Sequence, residues 1–197
     1  MDDQAKRWQL ERPSGAAYAF LLLVTMVLPV GITIAALTHA FQADDAALRL
    51  IGDSRQLTTW LTVGGIGLFS ATLWWFLHRV FSRHRLALVD GVLEVATTFY
   101  RRRLPLADLK LDEARIVDLD ERTELRPMFK TNGTGLPGFK SGWFRLRNRN
   151  KALVAMVGGK RVAWIPTRVG YDLLLQPRSP QALLDELRKM AERAPRR

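Results

Sequence analysis

The chain has no cysteine and only three histidines, His39, His78 and His84, in 197 residues. Disulfide scaffolds, thiolate zinc sites, iron–sulfur ligation and cysteine nucleophiles are thereby excluded. Charge is missing from two long stretches: Pro13 to Ala43, 31 residues, and Gln56 to His78, 23 residues, contain no Asp, Glu, Lys or Arg. The length suits one ordinary domain, at roughly 100 to 200 residues each, or a smaller one with an appendage, and excludes a large multidomain enzyme. The averages, 48% hydrophobic and 25% charged, resemble a soluble globule but merge two unlike kinds of sequence. The chain reads as an integral membrane segment joined to a polar, basic domain.

The apolar runs are Ala16 to Phe41 and Leu57 to Phe81, each longer than the roughly 20 residues a helix needs to cross a hydrocarbon core. They predict a helical hairpin: 1–15 a cytoplasmic segment, 16–41 the first span, 42–56 an external loop, 57–81 the second span and 82–197 a cytoplasmic domain. Lys6, Arg7 and Arg12 flank the first span and Arg79, Arg83 and Arg85 the end of the second, against Arg49 and Arg55 in the loop. That asymmetry places both termini in the cytoplasm, with Arg79, Arg83 and Arg85 at the lipid surface. Pro29, lacking an N–H, demands a partner on the neighbouring helix or a kink. Gly31 with Ala35, and Gly67 with Ala71, predict close packing of the two helices. His39 and His78 lie near span ends, and without intramembrane acids no proton relay is expected.

After Ser82 the period becomes twofold. Leu86–Val89, Asp90-Gly91 and Val92–Thr97 read as a hairpin with an Asp-Gly turn. Further strands are expected at 115–119, 143–147, 152–157 and 161–165, the last two joined as a hairpin through Gly158-Gly159. Ser179 then offers an N-cap, Pro180 a first helical residue, and Leu183, Leu184, Leu187, Met190 and Ala191 one apolar stripe. The expected fold class is a membrane α-helical hairpin followed by a mainly β domain of about six to seven strands, closed by a C-terminal helix.

The hairpin LALVDGVLEVAT, the stretch RRRLPLADL, TNGTGLPGFKSGWFRLRN (Thr131 to Asn148), KALVAMVGGKRVAWIPT, GYDLLL and the closing SPQALLDELR resemble bacterial pleckstrin-homology-like (PH-like) domains that follow short transmembrane hairpins. The resemblance covers Leu86 to Met190, and Thr131 to Asn148 is its most specific element. It implies two orthogonal antiparallel sheets with a C-terminal helix, a bacterial inner-membrane location, and a platform for lipids, peptides or proteins. It implies little chemistry, because a fold alone does not confer function.

Gly133, Gly135 and Gly138 formally complete G-x-G-x-x-G, but the run leads through Pro137 toward a strand, where a dinucleotide site needs a helix N-terminus. It reads instead as a rigid loop. Lys130, Asn132, Gly133, Thr134, Gly135, Gly138 and Lys140 are its candidate binding residues, with backbone N–H groups and two lysines to meet an anion or a peptide backbone. Scaffolding is the competing reading.

From Ser82 onward 24 Lys and Arg face 13 Asp and Glu. Arg101, Arg102 and Arg103, with Arg145, Arg147, Arg149 and Lys151, suit a domain beside an anionic leaflet, where each cation contributes about 1 kcal/mol. No helix-turn-helix spacing, zinc knuckle or RNP pattern accompanies the charge, so nucleic acid is not an expected partner. Acid pairs such as Asp112-Glu113 alternate with arginines and read as salt-bridged surface. No catalytic triad, metal set or cofactor site is expected. The expectation is a non-catalytic interaction module for a membrane-associated protein or a second copy, oriented by anionic lipid without headgroup selectivity. The alternatives are a lipid-specific sensor and a regulatory accessory subunit of a membrane enzyme or transporter.

Overall fold

A computed structural model of the chain describes residues 10, 14–43, 50–81 and 85–193. They form two compact units: Tyr18–Val80, and the stretch up to Ala17 together with Phe81 onward. Arg83, His84, Lys6, Arg7, Arg12 and Arg49, named above, lie outside the described residues.

Two helices, α1 (Gly15–Gln42) and α2 (Arg55–Phe81), are long and apolar enough to cross a membrane. A core helix of a soluble protein would be mostly buried, whereas only 11% and 6% of their most apolar stretches are. Ile32, Trp60, Leu68 and Phe69 stand exposed along them, as side chains facing lipid would. Ser54 caps α2, its Oγ accepting from the Leu57 N–H at 3.2 Å.

The helix that contains Pro29 departs from regular α geometry one turn before it. The helix widens into a π-turn at Leu23–Val27, where the Leu28 N–H bonds the Leu23 carbonyl five residues back. Thr25 and Thr33 donate their hydroxyls to the carbonyls of Leu21 and Pro29, at 2.8 and 2.7 Å. The two hydroxyls and the carbonyls of Leu21, Leu23 and Pro29 thereby find partners within one helix.

The glycine-mediated packing expected of the hairpin is not formed. A Cβ added at Gly31 or Gly67 would meet no atom within 4 Å. The ring contacts between the helices lie at the two ends of the pair: Tyr18 on His78 with centroids 4.7 Å apart, and the Arg55 guanidinium 5.7 Å from the Phe41 ring. Bulky side chains, not small ones, mediate these contacts.

Nine strands, two or three more than expected, make the β domain among the described residues. β1 (Arg85–Val89), β2 (Val92–Ala96) and β3 (Arg101–Pro105) form an antiparallel three-stranded sheet. Asp90 and Gly91, at φ 51° and 73°, make the tight turn expected of Asp-Gly. β3 has no twofold signal in its sequence, because three successive arginines mask it.

The second sheet contains β4 (Arg115–Asp118), β5 (Pro127–Leu136), β6 (Phe139–Leu146), β7 (Lys151–Met156), β8 (Arg161–Pro166) and β9 (Asp172–Leu175). Its order is β4-β8-β9-β7-β6-β5. It is not wholly antiparallel, since β7 and β9 pair in parallel. Nor do β7 and β8 form the expected hairpin, because β9 lies between them and bonds to both. All four β9 residues are buried, three of them leucines as suits a strand flanked on both edges, and the fourth, Asp172, accepts hydrogen bonds from Asn150 and Trp164. Gln176, just past β9, secures the β7–β8 connection: its Oε1 accepts from the N–H groups of Val157 (2.8 Å) and Gly159 (3.2 Å).

Core lies on both faces of this sheet. One cluster joins Leu93, Val95 and Leu104 of the small sheet to Leu153, Ile165, Leu173 and Leu175. The C-terminal helix α3 (Pro180–Arg193) adds Leu183, Leu184 and Leu187, all essentially buried and worth about 2 kcal/mol each. Ser179 caps α3 as expected, its carbonyl taking the Leu183 N–H at 3.2 Å and its Oγ facing the Ala182 N–H at 3.4 Å. Leu10 joins this cluster and bridges Pro177. The other cluster gathers Phe144, Leu146, Val154 and Leu174 beneath Leu119 and Leu125 from the β4–β5 connection.

Candidate interaction sites on the β domain

The glycine-rich segment is not a loop. Lys130, Asn132, Gly133, Thr134 and Gly135 lie within β5, Gly138 makes the β5–β6 turn at φ 69°, and Lys140 lies on β6. The fingerprint-like glycines thus sit in a β-hairpin, with no helix N-terminus for a phosphate to meet. Glycines 133 and 142 let two backbones touch: a Cβ on Gly133 would lie 2.4 Å from the Ser141 carbonyl oxygen. Ser141 is buried, and its Oγ accepts from the Thr98 N–H at 3.1 Å, tying the β2–β3 turn to β6.

Lys140 presents its charge only partly to solvent. It is half-buried, and its ammonium donates to the Pro127 carbonyl at 3.2 Å. Burial, reinforced by the nearby Arg126, moves its pKa below the ordinary lysine value. Lys130 and Asn132 are exposed, and Lys130 makes no ion pair among the described residues.

β5 occupies one end of the six-stranded order, hydrogen-bonded on one side to β6 and on the other, among the described residues, to no strand. The opposite edge, β4, is four residues long and has α3 packed near it. Register shifts at Met128 and Thr131 mark two bulges in β5. They leave the neighbouring side chains of Met128 and Phe129 both exposed, Phe129 at 67%, where a regular strand would alternate them. This open edge carries two large apolar side chains and the cation of Lys130. Sequence reading singled out Lys130 but neither Met128 nor Phe129, and it missed the strand because Gly133 and Gly135 interrupt the alternation that announces one.

The arginine clusters resolve into separate roles. Arg101 and Arg103 both bind Glu94 across the small sheet, through Nε at 2.6 and 2.9 Å. These bonds, Arg101's first and then Arg103's, hold the Glu94 carboxyl below its ordinary range. Arg102 points to the other face, its guanidinium 5.5 Å from the Trp143 ring. Lys151 stands over the same ring at 4.4 Å, and Tyr100 and Tyr171 meet it edge-on. Nothing in the linear sequence joins residues 100, 102, 143, 151 and 171; only the sandwich does. Of the juxtamembrane cations, Arg79 lies 5.8 Å over the Trp75 ring and Arg85 is exposed at the start of β1.

Asp120 receives both Lys160 and Arg126, with Lys160 the larger cause of its lowered pKa. A cavity of about 640 Å³ opens beside it, with Lys160, Arg161 and Arg178 on its walls. Asp120 and Asp118 offset much of that charge. Among the described residues no three His, Asp or Glu side chains gather as a metal set.

Comparison with protein-family models, with curated proteins and with solved structures gives no match to the chain.

Proposed function

We propose that the chain is a membrane-anchored, non-catalytic interaction module, displaying a PH-like β domain on the cytoplasmic face of a bacterial inner membrane. The observation that carries this reading is the open β5 edge, with Met128, Phe129 and Lys130 exposed upon it. Such an edge can accept an extended segment of a partner by strand addition, main-chain bonds giving affinity and side chains selecting the partner. The partner is a membrane-associated protein or a second copy of this chain. Two sheets and a closing helix support the PH-like assignment; the parallel β7–β9 pair departs from the all-antiparallel plan that assignment implies.

The Leu10 contact with Pro177 favours an even number of spans, because a residue before the first span and one beyond the second then share one side of the membrane. Anionic lipid contributes a posture rather than an address, through Arg79, Arg83 and Arg85. Glu94 offsets one of the two charges of Arg101 and Arg103, which reduces their part in it.

A photo-crosslinking residue at Phe129, with a control at Val169 in the β8–β9 turn, tests the reading in membranes of the source cells. A discrete adduct from position 129 and none from 169 is expected, its mass distinguishing a second copy from another protein. Equal or absent adducts at both positions would sink the proposal.

A further inference from the structure

Leu10 is fastened to the β domain twice over. Its backbone forms an antiparallel bridge with Pro177, and its side chain is buried in the cluster that holds Leu183, Leu184 and Leu187 of α3. In an antiparallel pairing the residues before Leu10 run beside those after Pro177, so Gln9 comes opposite Arg178 and Trp8 opposite Ser179. Arg178 and Ser179 line the cavity of about 640 Å³ beside Asp120. Trp8 itself lies outside the described residues, and the chain limits how far it can stand from Leu10: two residues of extended backbone span about 7 Å. Side chains two apart share one face of such a backbone. The face that turns Leu10 into the core therefore turns Trp8 toward the cavity.

The cavity suits an indole. Pro177 and Pro180 give it apolar walls together with Ile116. Arg161 and Arg178 line it as well, both exposed and without an ion pair among the described residues. Indole is the ring that attracts a cation most strongly, and it brings no negative charge. Asp118 lines the same cavity and Asp120 holds Lys160 beside it, so an anionic occupant would meet two carboxylates. We propose that Trp8 occupies this cavity, so that Trp8 and Leu10 together clasp the segment before the first apolar helix to the β domain. The occupant is the chain's own because Leu10 holds it there: a tether this short gives an effective concentration on the order of millimolar or more, against which an aromatic side chain of another protein must compete. The inference is independent of strand docking at β5, which lies at the opposite end of the sheet order from β4 and the cavity.

The test uses the full chain in nanodiscs of neutral phosphatidylcholine and follows maleimide labelling of Gln181→Cys, a position that is exposed and lines the cavity. Adding W8A should speed that labelling about tenfold, the population change that burial of one large apolar side chain sustains. W8F, which keeps a ring, should speed it less. Val169→Cys, past the far end of β8 from Arg161, should label at one rate with Trp8, Phe or Ala at position 8. Faster labelling at both 181 and 169 in W8A would mean a loosened fold and would overturn the clasp, as would an unchanged rate at 181. Independently, a short bismaleimide should join W8C to Q181C within one chain and should not join W8C to V169C. Equal crosslinking of the two pairs would overturn the proposal. So would protection of position 181 in membranes of the source cells that persists in W8A, since the cavity would then belong to another protein.

Discussion

Gly133 and Gly142 press their backbones together across the β5–β6 hairpin, so that a Cβ on Gly142 would lie 2.6 Å from the Gly133 Cα and 2.8 Å from the Asn132 carbonyl oxygen. Gly142 also sits at φ +113°, a conformation few residues but glycine adopt. Gly142→Ala should therefore cost about 3 kcal/mol or more, from strain and overlap together. At Gly135 a Cβ would meet only the Phe144 ring, at 3.9 Å, and Gly135→Ala should stay within about 0.5 kcal/mol of the parent. Unfolding of the solubilised chain checks both; equal stabilities for the two variants would show that the close approach is not a constraint.

Gln176 takes the place of a strand at the end of β9. Its Oε1 accepts two backbone N–H groups, one from buried Val157. Gln176→Leu removes that acceptor from groups that cannot all reach water, and a loss of about 1 to 3 kcal/mol is expected. Gln176→Glu keeps the acceptor and should lose less. A leucine variant as stable as the parent would mean that the β7–β8 connection does not depend on this side chain.

The paired carboxylates predict a loss of stability in acid. Glu94 is held below its ordinary value of 4.5, first by Arg101, and Asp120 below 3.8, first by Lys160. Each folded-state pKa lies beneath the unfolded one, so the stabilisation is complete above the unfolded value and disappears as pH falls through the folded one. The Tm should therefore decline as pH is lowered from about 4.5. E94Q with D120N should melt lower than the parent at neutral pH and show a shallower decline in acid. An unchanged slope in the double variant would contradict the assignment.

Local signals were legible and non-local ones were not. The two long apolar helices, the Asp90-Gly91 turn and the Ser179-Pro180 start of α3 each depend on neighbours within a few residues, and the fold has them where the sequence places them. The insertion of β9 between β7 and β8 is a decision between distant strands, and no periodicity encodes it. β5 escaped notice because two glycines break its alternation, and β3 because Arg101 and Arg103 serve Glu94 while Arg102 serves Trp143. Gly31 and Gly67 misled in the opposite direction: small residues permit close helix packing without requiring it.

The absence of cysteine makes single-cysteine labelling direct, and it tests the central claim, that the β5 edge is a docking surface occupied in the membrane. Phe129→Cys and Val169→Cys are compared for maleimide labelling in inside-out vesicles from source cells and in the purified, solubilised chain. The account predicts that position 129 labels readily when purified and is protected in the vesicles, while position 169 labels equally in both. Equal labelling of position 129 in the two preparations would contradict it.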